Sequence, residues 1–387
     1  MDKNRNSQHT MIERLEYWWR HRIVYPLLRL IFHNSSNESS INIQTLDSVL
    51  FLRYDRIGDM IVTTPVFRNL KQLNPALKIG VFASETNAEI IRYNPYVDTV
   101  YVLHTNWITF IAEILRARKF HYTVVLNLIF NRTTSGGILA NIISPLGIKI
   151  GQGDEKYGFY FNRLLTISRK NNHMIETLVF IIKEVFDIQL IPDLLHYEIF
   201  IDEKTRNNIA AYVSKWNLQA RQHSAVGKSF YIVFNLSAND SVRRISAEQA
   251  YSIGEHLGSI TSFRTLLLHA PKDPLMLSVK QNLVQRTKCV SFPGQRDASL
   301  LEIAALIEGA LAVITPDTSI IHFASAAKTP VLGFYTQMQD VHEWLPHQVK
   351  NRLVLSSKNE PTSAIPISNM IHAIDDFLLE LDIEFHR

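Results

Sequence analysis

From about residue 47 onward, short apolar runs alternate with longer amphipathic stretches. Val49–Arg53, Lys78–Phe82, Thr99–Leu103 and Tyr122–Leu126 read as buried parallel strands, because an unbroken apolar run needs cover on both faces. Periodic segments at 60–73, 86–93, 107–118, 134–143, 173–186 and 203–215 read as helices, with a less regular stretch reaching Ile201. A polar segment, Arg221-Gln-His-Ser-Ala-Val-Gly-Lys228, marks a boundary, and the alternation then resumes. Strands are predicted at Phe230–Asn235, Arg264–His269, Lys288–Ser291, Leu311–Thr315 and Val331–Phe334, with helices near 246–257, 274–285, 299–308 and 319–327. A last amphipathic helix, 367–381, is expected to pack back across the two halves. Such alternation forces parallel sheets with helices on both faces. The pattern predicts an α/β protein of two Rossmann-like domains, 46–222 and 223–387, whose parallel sheets face a central cleft. Residues 1–45 form an N-terminal amphipathic helix and polar linker ahead of them.

That N-terminal stretch admits two readings. Residues 11–32 mix Tyr17, Trp18, Trp19 and Tyr25 with Arg14, Arg20, Arg22 and Arg29. One reading is an amphipathic helix on an anionic membrane surface, aromatics at headgroup level. The other is a helix packed on the first domain. Pro26 kinks or ends the helix in either.

Composition narrows the classes. With 387 residues, 46% hydrophobic and 20% charged, the chain is that of an ordinary soluble globular protein long enough for two domains. A formal net charge of +4 suits anionic ligands without demanding nucleic acid, and no nucleic-acid-binding motif is present. Cys289 is the lone cysteine, which excludes an internal disulfide and a thiolate metal cluster and fits a reducing compartment. Neither a secretory signal nor a run of about 18 apolar residues is expected.

Two strand–turn–helix segments carry the candidate chemistry. Arg53-Tyr-Asp-Arg-Ile-Gly-Asp59 follows the first strand, and Thr315-Pro-Asp-Thr318 follows a strand of the second half. Strand-to-helix turns at the carboxyl ends of parallel strands are where α/β sheets bind ligands. In the first turn Gly58 permits close backbone approach. Asp55 and Asp59, flanked by Arg53 and Arg56, suit proton abstraction from a sugar hydroxyl, although an aspartate there also serves as a helix cap. In the second turn Asp317, Thr318 and Ser319 suit a diphosphate cradle or an ordinary capping turn, with His322 one helical turn on. Asn235-Leu-Ser237, leading to Arg243 and Arg244, is a third candidate, where guanidinium groups would hold phosphates. His269-Ala-Pro-Lys272-Asp273 is a fourth, for a base or ribose. Gly-x-Gly-x-x-Gly, Walker A, Asp-x-Asp, Gly-x-Ser-x-Gly and metal-ligand spacings are absent, so classical NAD binding, Walker-type phosphate binding and nucleophilic-serine hydrolysis lack support.

Taken together, these residues resemble glycosyltransferase family nine, the ADP-heptose:lipopolysaccharide heptosyltransferases. The resemblance rests on Arg53 to Pro65, Asn94-Pro-Tyr-Val-Asp98, Ser299-Leu-Leu-Glu-Ile-Ala-Ala305, and Thr315 to Thr318 with His322. It runs from about Val49 to Leu355. It implies a GT-B fold and an inverting, metal-independent transfer of a heptose or similar sugar from a nucleotide-diphosphate donor to a lipopolysaccharide core or related glycan. No cofactor is implied beyond the nucleotide-sugar substrate, ADP-heptose by this resemblance. Asp59 falls on the catalytic aspartate. Asp317, Thr318, Ser319, Arg243, Arg244, Ser237, Lys272 and His322 are expected on the donor side, in the second domain. Arg53, Asp55, Arg56, Gly58, Arg132 and His173 are expected on the acceptor side, in the first. The chain departs from the family where Arg243-Arg-Ile-Ser246 replaces Lys-Arg-Trp-Pro and where Ser319 replaces a glycine. The implied location is cytoplasmic, peripheral on the inner face of the inner membrane. A catalytically silent nucleotide-sugar or glycan binder and a sugar-nucleotide epimerase or hydrolase are the alternatives.

Overall fold

Two six-stranded sheets, parallel throughout, form the two halves of the protein. The computed structural model describes residues 18–32, 34–36, 40–130, 133–169, 172–221, 229–260, 262–271, 273–294, 296–337 and 341–381. The first sheet has the order β3-β2-β1-β4-β5-β6, from β1 (Ser48–Leu52), β2 (Lys78–Ser84), β3 (Thr99–Leu103), β4 (Val124–Asn127), β5 (Ile148–Gln152) and β6 (Arg163–Leu165). The second has the order β12-β11-β10-β7-β8-β9, from β7 (Phe230–Asn235), β8 (Phe263–Leu268), β9 (Val290–Ser291), β10 (Val313–Pro316), β11 (Val331–Tyr335) and β12 (Asn351–Leu355). Both are the doubly wound order of a dinucleotide-type fold. In each, the chain reverses direction across the sheet between two central strands, β1 and β4 or β7 and β10, and ligands bind at that switch point.

The period of two along β1 explains its burial. Val49 and Phe51 enter one core, with Met60, Val66 and Phe67 of α2 (Ile57–Leu73) and Leu178 and Ile182 of α5 (Met174–Phe186). Leu50 and Leu52 point the other way, against Ile114 and Ala117 of α3 (Trp107–Phe120) and Leu139, Ala140 and Ile143 of α4 (Thr133–Ile143). The second half repeats the device. Val233 and Val313 face α9 (Leu300–Gly309) and α10 (Ile320–Ala326), while Phe234 and Ile314 face α7 (Ala247–Ser259), α8 (Pro274–Arg286) and α11 (Ile367–Glu380). The core holding Val49 and Phe51 also holds Val233 and Ile321, so one apolar cluster runs through both halves where α2 meets α10. The connecting helix α6 (Glu203–Ser214) packs on α9.

The structure corrects several expectations. Residues 86–93 make a single 3-10 turn at Ala88–Ile91, because the Asn87 side chain accepts from Ser84 N at 2.8 Å and donates to Arg53 O at 3.0 Å. Strand β5 was hidden by Lys149 in its middle. That ammonium is buried and donates to the Ser144, Pro145 and Gly147 carbonyls. Strand β12 is a half-exposed edge carrying Arg352, which pairs with Asp376 at 3.1 Å, so it lacked an apolar run. Helix α11 packs on α7 and β12 of its own half instead of crossing to the first. Arg20–Val24 wind as a π-helix that passes at Tyr25 into α1 (Tyr25–Ile31), and Pro26 stands at that change of winding.

Phe67 is fully buried, edge-on to Phe51 with ring centroids 5.2 Å apart. Phe67→Ala should lower unfolding free energy by about 3–5 kcal/mol, read as a shifted urea midpoint. A loss below about 1 kcal/mol would mean that α2 is not anchored on β1 as described.

Candidate active site

Arg53 follows β1 and is wholly buried, yet each nitrogen of its guanidinium finds an acceptor. Nη2 donates to Asp59 Oδ1 at 3.0 Å, and Nη1 to Asp55 Oδ2 at 3.1 Å and Leu128 O at 2.6 Å. Nε donates to Asp59 O at 3.1 Å and Thr63 Oγ1 at 3.0 Å. This fork ties the ends of β1 and β4 to the first turn of α2. Arg56 is the N-cap residue of α2 and makes no side-chain cap, which places Asp59 in the first helical turn. Asp59 is therefore not a capping residue. Its Oδ1 is held by Arg53, and no hydrogen bond engages Oδ2 among the described residues. Asp55 is raised to about 6, chiefly by burial; Arg53 opposes this and Asp59 adds to it. Its Oδ1 is buried without a partner among the described residues.

The second-half turn lies at the other switch point. Asn235 Nδ2, at the end of β7, donates to Ser237 O at 3.0 Å and reaches Thr315 Oγ1 at 3.0 Å and Thr318 Oγ1 at 3.4 Å, joining β7 to β10. Thr318 Oγ1 accepts from Ile320 N at 3.3 Å, so it caps α10 while Ser319, the N-cap residue, makes no side-chain cap. Asp317 pairs with Arg243 Nη1 at 3.1 Å. Burial raises the Asp317 carboxyl; Arg243 pulls it back, Asp240 raises it further, and Arg56 of the first half lowers it. Tyr335 Oη beside this pair, Ser237 Oγ after β7 and His269 Nδ1 after β8 are buried without partners among the described residues. Orphaned polar atoms of this kind, gathered at the carboxyl edge of one sheet, mark a place where a polar ligand would complete the bonding.

The two turns touch. A Cβ on Gly58 would lie 2.7 Å from His322 Cδ2, so only glycine lets α2 and α10 meet there. His322 is buried and pushed down to about 3 by burial, with His173, Arg243 and His347 adding to the shift. Tyr197 stacks on His347 at 4.9 Å and meets His322 at 6.2 Å; Trp344 lies 5.7 Å from His322. Across the same seam His173 Nε2 bonds Leu345 O at 2.9 Å, and Arg169 pairs with Glu343. Glu89 accepts from Leu300 N at 3.1 Å, so a carboxylate of the first half caps a helix of the second.

Against this geometry the comparisons with known proteins are decisive. The model of "Glycosyltransferase family 9 (heptosyltransferase)" matches residues 118–368. The chain belongs to glycosyltransferase family 9. It is 22% identical to Lipopolysaccharide heptosyltransferase 3 of Escherichia coli K12, over 84% of this chain and 96% of that protein. A putative glycosyltransferase of Haemophilus influenzae is 20% identical over 78% of this chain and 86% of its own length. Among solved structures, a family 9 glycosyl transferase from Veillonella parvula superposes with TM-score 0.72 at 20% identity, covering 88% of this chain and 99% of that one. E. coli ADP-heptose lps heptosyltransferase II gives 0.65 at 17% identity, covering 87% and 99%. These neighbours show the GT-B glycosyltransferase fold, and the protein is a glycosyltransferase of the heptosyltransferase type.

Within this family 9 enzyme, the structure brings together Arg53, Asp55, Arg56, Gly58 and Asp59 on one side and Asp317, Thr318, Ser319, Arg243, Ser237 and His322 on the other. It parts the two arginines: Arg243 turns to Asp317, whereas Arg244 donates to Ala238 O at 2.8 Å and holds its own loop. His173 caps α5 in a capping box and sits in the seam. Arg132 and Lys272 lie outside the described residues. Sequence reading placed Thr63 in the Arg53–Pro65 motif without giving it a role, and passed over Asn87 and Glu89, because polar residues after β2 carry no signature. Asn87 and Glu89 could have been flagged only by their place at a strand's carboxyl end.

Gly58→Ala should destabilise the protein, and His322→Ala in the same chain should recover part of the loss, so the two melting-point changes will not add. Strict additivity would show that Gly58 and His322 do not touch. His322 has its folded pKa below the unfolded value near 6.5, so protons bind the unfolded chain preferentially as pH falls below that value. Stability of the native protein relative to His322→Gln should therefore drop progressively from about pH 6.5 towards about 3. Parallel urea-midpoint curves for the two proteins over that range would refute the buried neutral imidazole.

Proposed function

We propose that the enzyme transfers a heptose, or a closely similar sugar, from ADP-heptose to a lipopolysaccharide core or related glycan, with inversion and without a required metal. The observation that carries this is the Asp59 carboxylate, fixed by a buried arginine through one oxygen and unengaged at the other among the described residues, opposite an Arg243–Asp317 pair in the second half. Asp59 Oδ2 takes the proton of an acceptor hydroxyl. The hydroxyl oxygen attacks the anomeric carbon from the face opposite the diphosphate. The bond between that carbon and the phosphate oxygen breaks, and the electron pair leaves with ADP. Attack and departure on opposite faces invert the anomeric centre.

Charge stabilisation falls to residues of both halves. Arg243 offers its guanidinium, oriented by Asp317, and Arg56 projects from the first half within electrostatic reach of Asp317. The α10 N-terminus and the Thr318 hydroxyl add dipoles. Ser237 and Tyr335 hydroxyls supply further donors at the same edge. Support for ADP-heptose comes from the relatives: one E. coli heptosyltransferase, WaaC, has been solved with ADP and with ADP-2-deoxy-2-fluoro heptose. The lipopolysaccharide acceptor rests on the heptosyltransferase 3 relative.

The test is transfer from ADP-heptose to truncated lipopolysaccharide acceptors with EDTA present. Wild type should form product of inverted anomeric configuration, and Asp59→Asn should lose about 10²–10⁴-fold in kcat while still binding donor. Activity of Asp59→Asn within a few-fold of wild type would remove the base role. Donor consumption without acceptor would instead indicate a hydrolase or epimerase, and donor binding without turnover on any acceptor a silent binder.

A further inference from the structure

Helix α3 is built inside out. Of its fourteen residues only Ile114 and Ala117 are buried, while Trp107, Ile108, Ile111 and Leu115 face outward. Trp107 is 69% exposed and Leu115 58%. Positions 107, 111 and 115 fall four apart, so these side chains form one stripe along the helix. An ordinary surface helix would put this stripe inward and keep charge outward. A contiguous apolar surface left in water marks an interaction site.

The N-terminal segment continues this surface. Tyr25 of α1 lies against α4, with its hydroxyl 3.4 Å from Thr134 Oγ1, and Asn34 Nδ2 donates to Asn141 Oδ1 at 3.0 Å. Helix α4 in turn packs on α3, and Arg118 donates to Ile142 O at 2.7 Å. All three helices thus lie on one face of the first sheet. Trp18, Trp19, Leu30 and Ile31 of the N-terminal segment are exposed as well. The packed-helix reading of this segment holds at Tyr25, which is buried against the domain, while Trp18, Trp19, Leu27, Leu30 and Ile31 are exposed.

Charge decides what covers the surface. Residues 18–32 and 107–120 together contain six basic residues, Arg20, Arg22, Arg29, Arg116, Arg118 and Lys119, and one acidic residue, Glu113. Their net charge of +5 exceeds the +4 of the whole chain, so the rest of the molecule sums to −1. A second copy presenting the same face would meet like charge with like charge. Tryptophans and aliphatic side chains flanked by arginine and lysine suit the boundary of an anionic lipid bilayer, where rings sit at headgroup depth and cations meet phosphates. No helix among the described residues is long and apolar enough to cross a membrane, so the contact is superficial.

We propose that α3 and the segment 18–32 form one membrane-docking face that lays the first domain on an anionic lipid surface. Trp107 follows the carboxyl end of β3, the same edge of the sheet on which Asp59 follows β1. Docking therefore holds the mouth of the site beside the headgroups. The inference stands whether or not the donor and acceptor proposed above are right, because it is read out by lipid binding without either.

The test is flotation of the full chain with vesicles of phosphatidylethanolamine and phosphatidylglycerol, compared with phosphatidylcholine alone. Wild type should float with the anionic vesicles, and binding should fall as salt is raised from about 0.1 to about 0.5 M. The triple variant Trp107→Ser, Ile111→Ser, Leu115→Ser changes only exposed side chains and should keep the wild-type melting point. It should lose at least about tenfold in vesicle partitioning. Arg22→Glu with Lys119→Glu should weaken anionic binding similarly and serves if the triple variant folds poorly. Failure of wild type to float, equal flotation with neutral vesicles, or variants that float as well as wild type would overturn the proposal. So would sedimentation showing a dimer that the triple variant dissociates, which would make this face an interface between copies.

Discussion

A buried guanidinium organises the first half of this enzyme. Arg53 has no contact with water, and an unpaired cation there would be untenable. It is satisfied by two carboxylates, two carbonyls and a hydroxyl, and these acceptors come from three separate elements. The fixed fork of arginine makes this possible, since lysine has neither the donors nor the planar geometry. Its consequence is positional. Asp59 cannot swing to cap its own helix, because one oxygen is already held. Asp55 and Asp59 share a single cation, and desolvation, opposed by Arg53 and reinforced by Asp59, leaves the Asp55 carboxyl raised to about 6. A charge network that is expensive to bury is retained at the place where a carboxylate has to be aimed.

The second half solves the same topological problem with a neutral group. Asn235 bridges β7 and β10 as Arg53 bridges β1 and β4, but an amide brings no charge and bonds the Thr315 and Thr318 hydroxyls instead of carboxylates. Cationic character is supplied instead by Arg243 on a loop, steadied by Asp317. The difference follows the proposed division of labour. A proposed base is aimed by a fixed cation beside it, whereas a proposed diphosphate site gathers its cationic charge on a loop, where Arg243 lies by Asp317 and Asp240.

Much of this was legible in the chain. The doubly wound order follows from the alternation of strands and helices, and most strand positions are apolar runs with covered faces. Elements escaped where an interior residue was polar for a local reason, as with Lys149 in β5, or where an edge was half-exposed, as with β12. The site was legible because its residues cluster in two short turns, and less so where function depends on long-range contact. Nothing in the local sequence says that Asn87 holds the Arg53 and Arg56 carbonyls, or that Glu89 caps α9. Family membership supplied the chemistry, while the geometry distinguished Arg243 from Arg244.

The seam between the halves sets what those turns can do together. A base on one domain and a leaving-group site on the other are useful only in fixed register, since ångström-scale misplacement of reacting groups erodes the rate. Here the register is held by contacts of different kinds. Gly58 abuts an imidazole, Arg169 pairs with Glu343, Glu89 caps α9, and His173 reaches the Leu345 carbonyl. A purely apolar seam could slide without penalty, but these polar bonds are directional and each fixes an angle as well as a distance. The histidines contribute because they are neutral: a charged ring at His322 would face Arg243 and two other imidazoles with no anion beside it. The same neutrality that lets the rings pack therefore ties the alignment of the proposed base and the proposed diphosphate site to the protonation state of the seam.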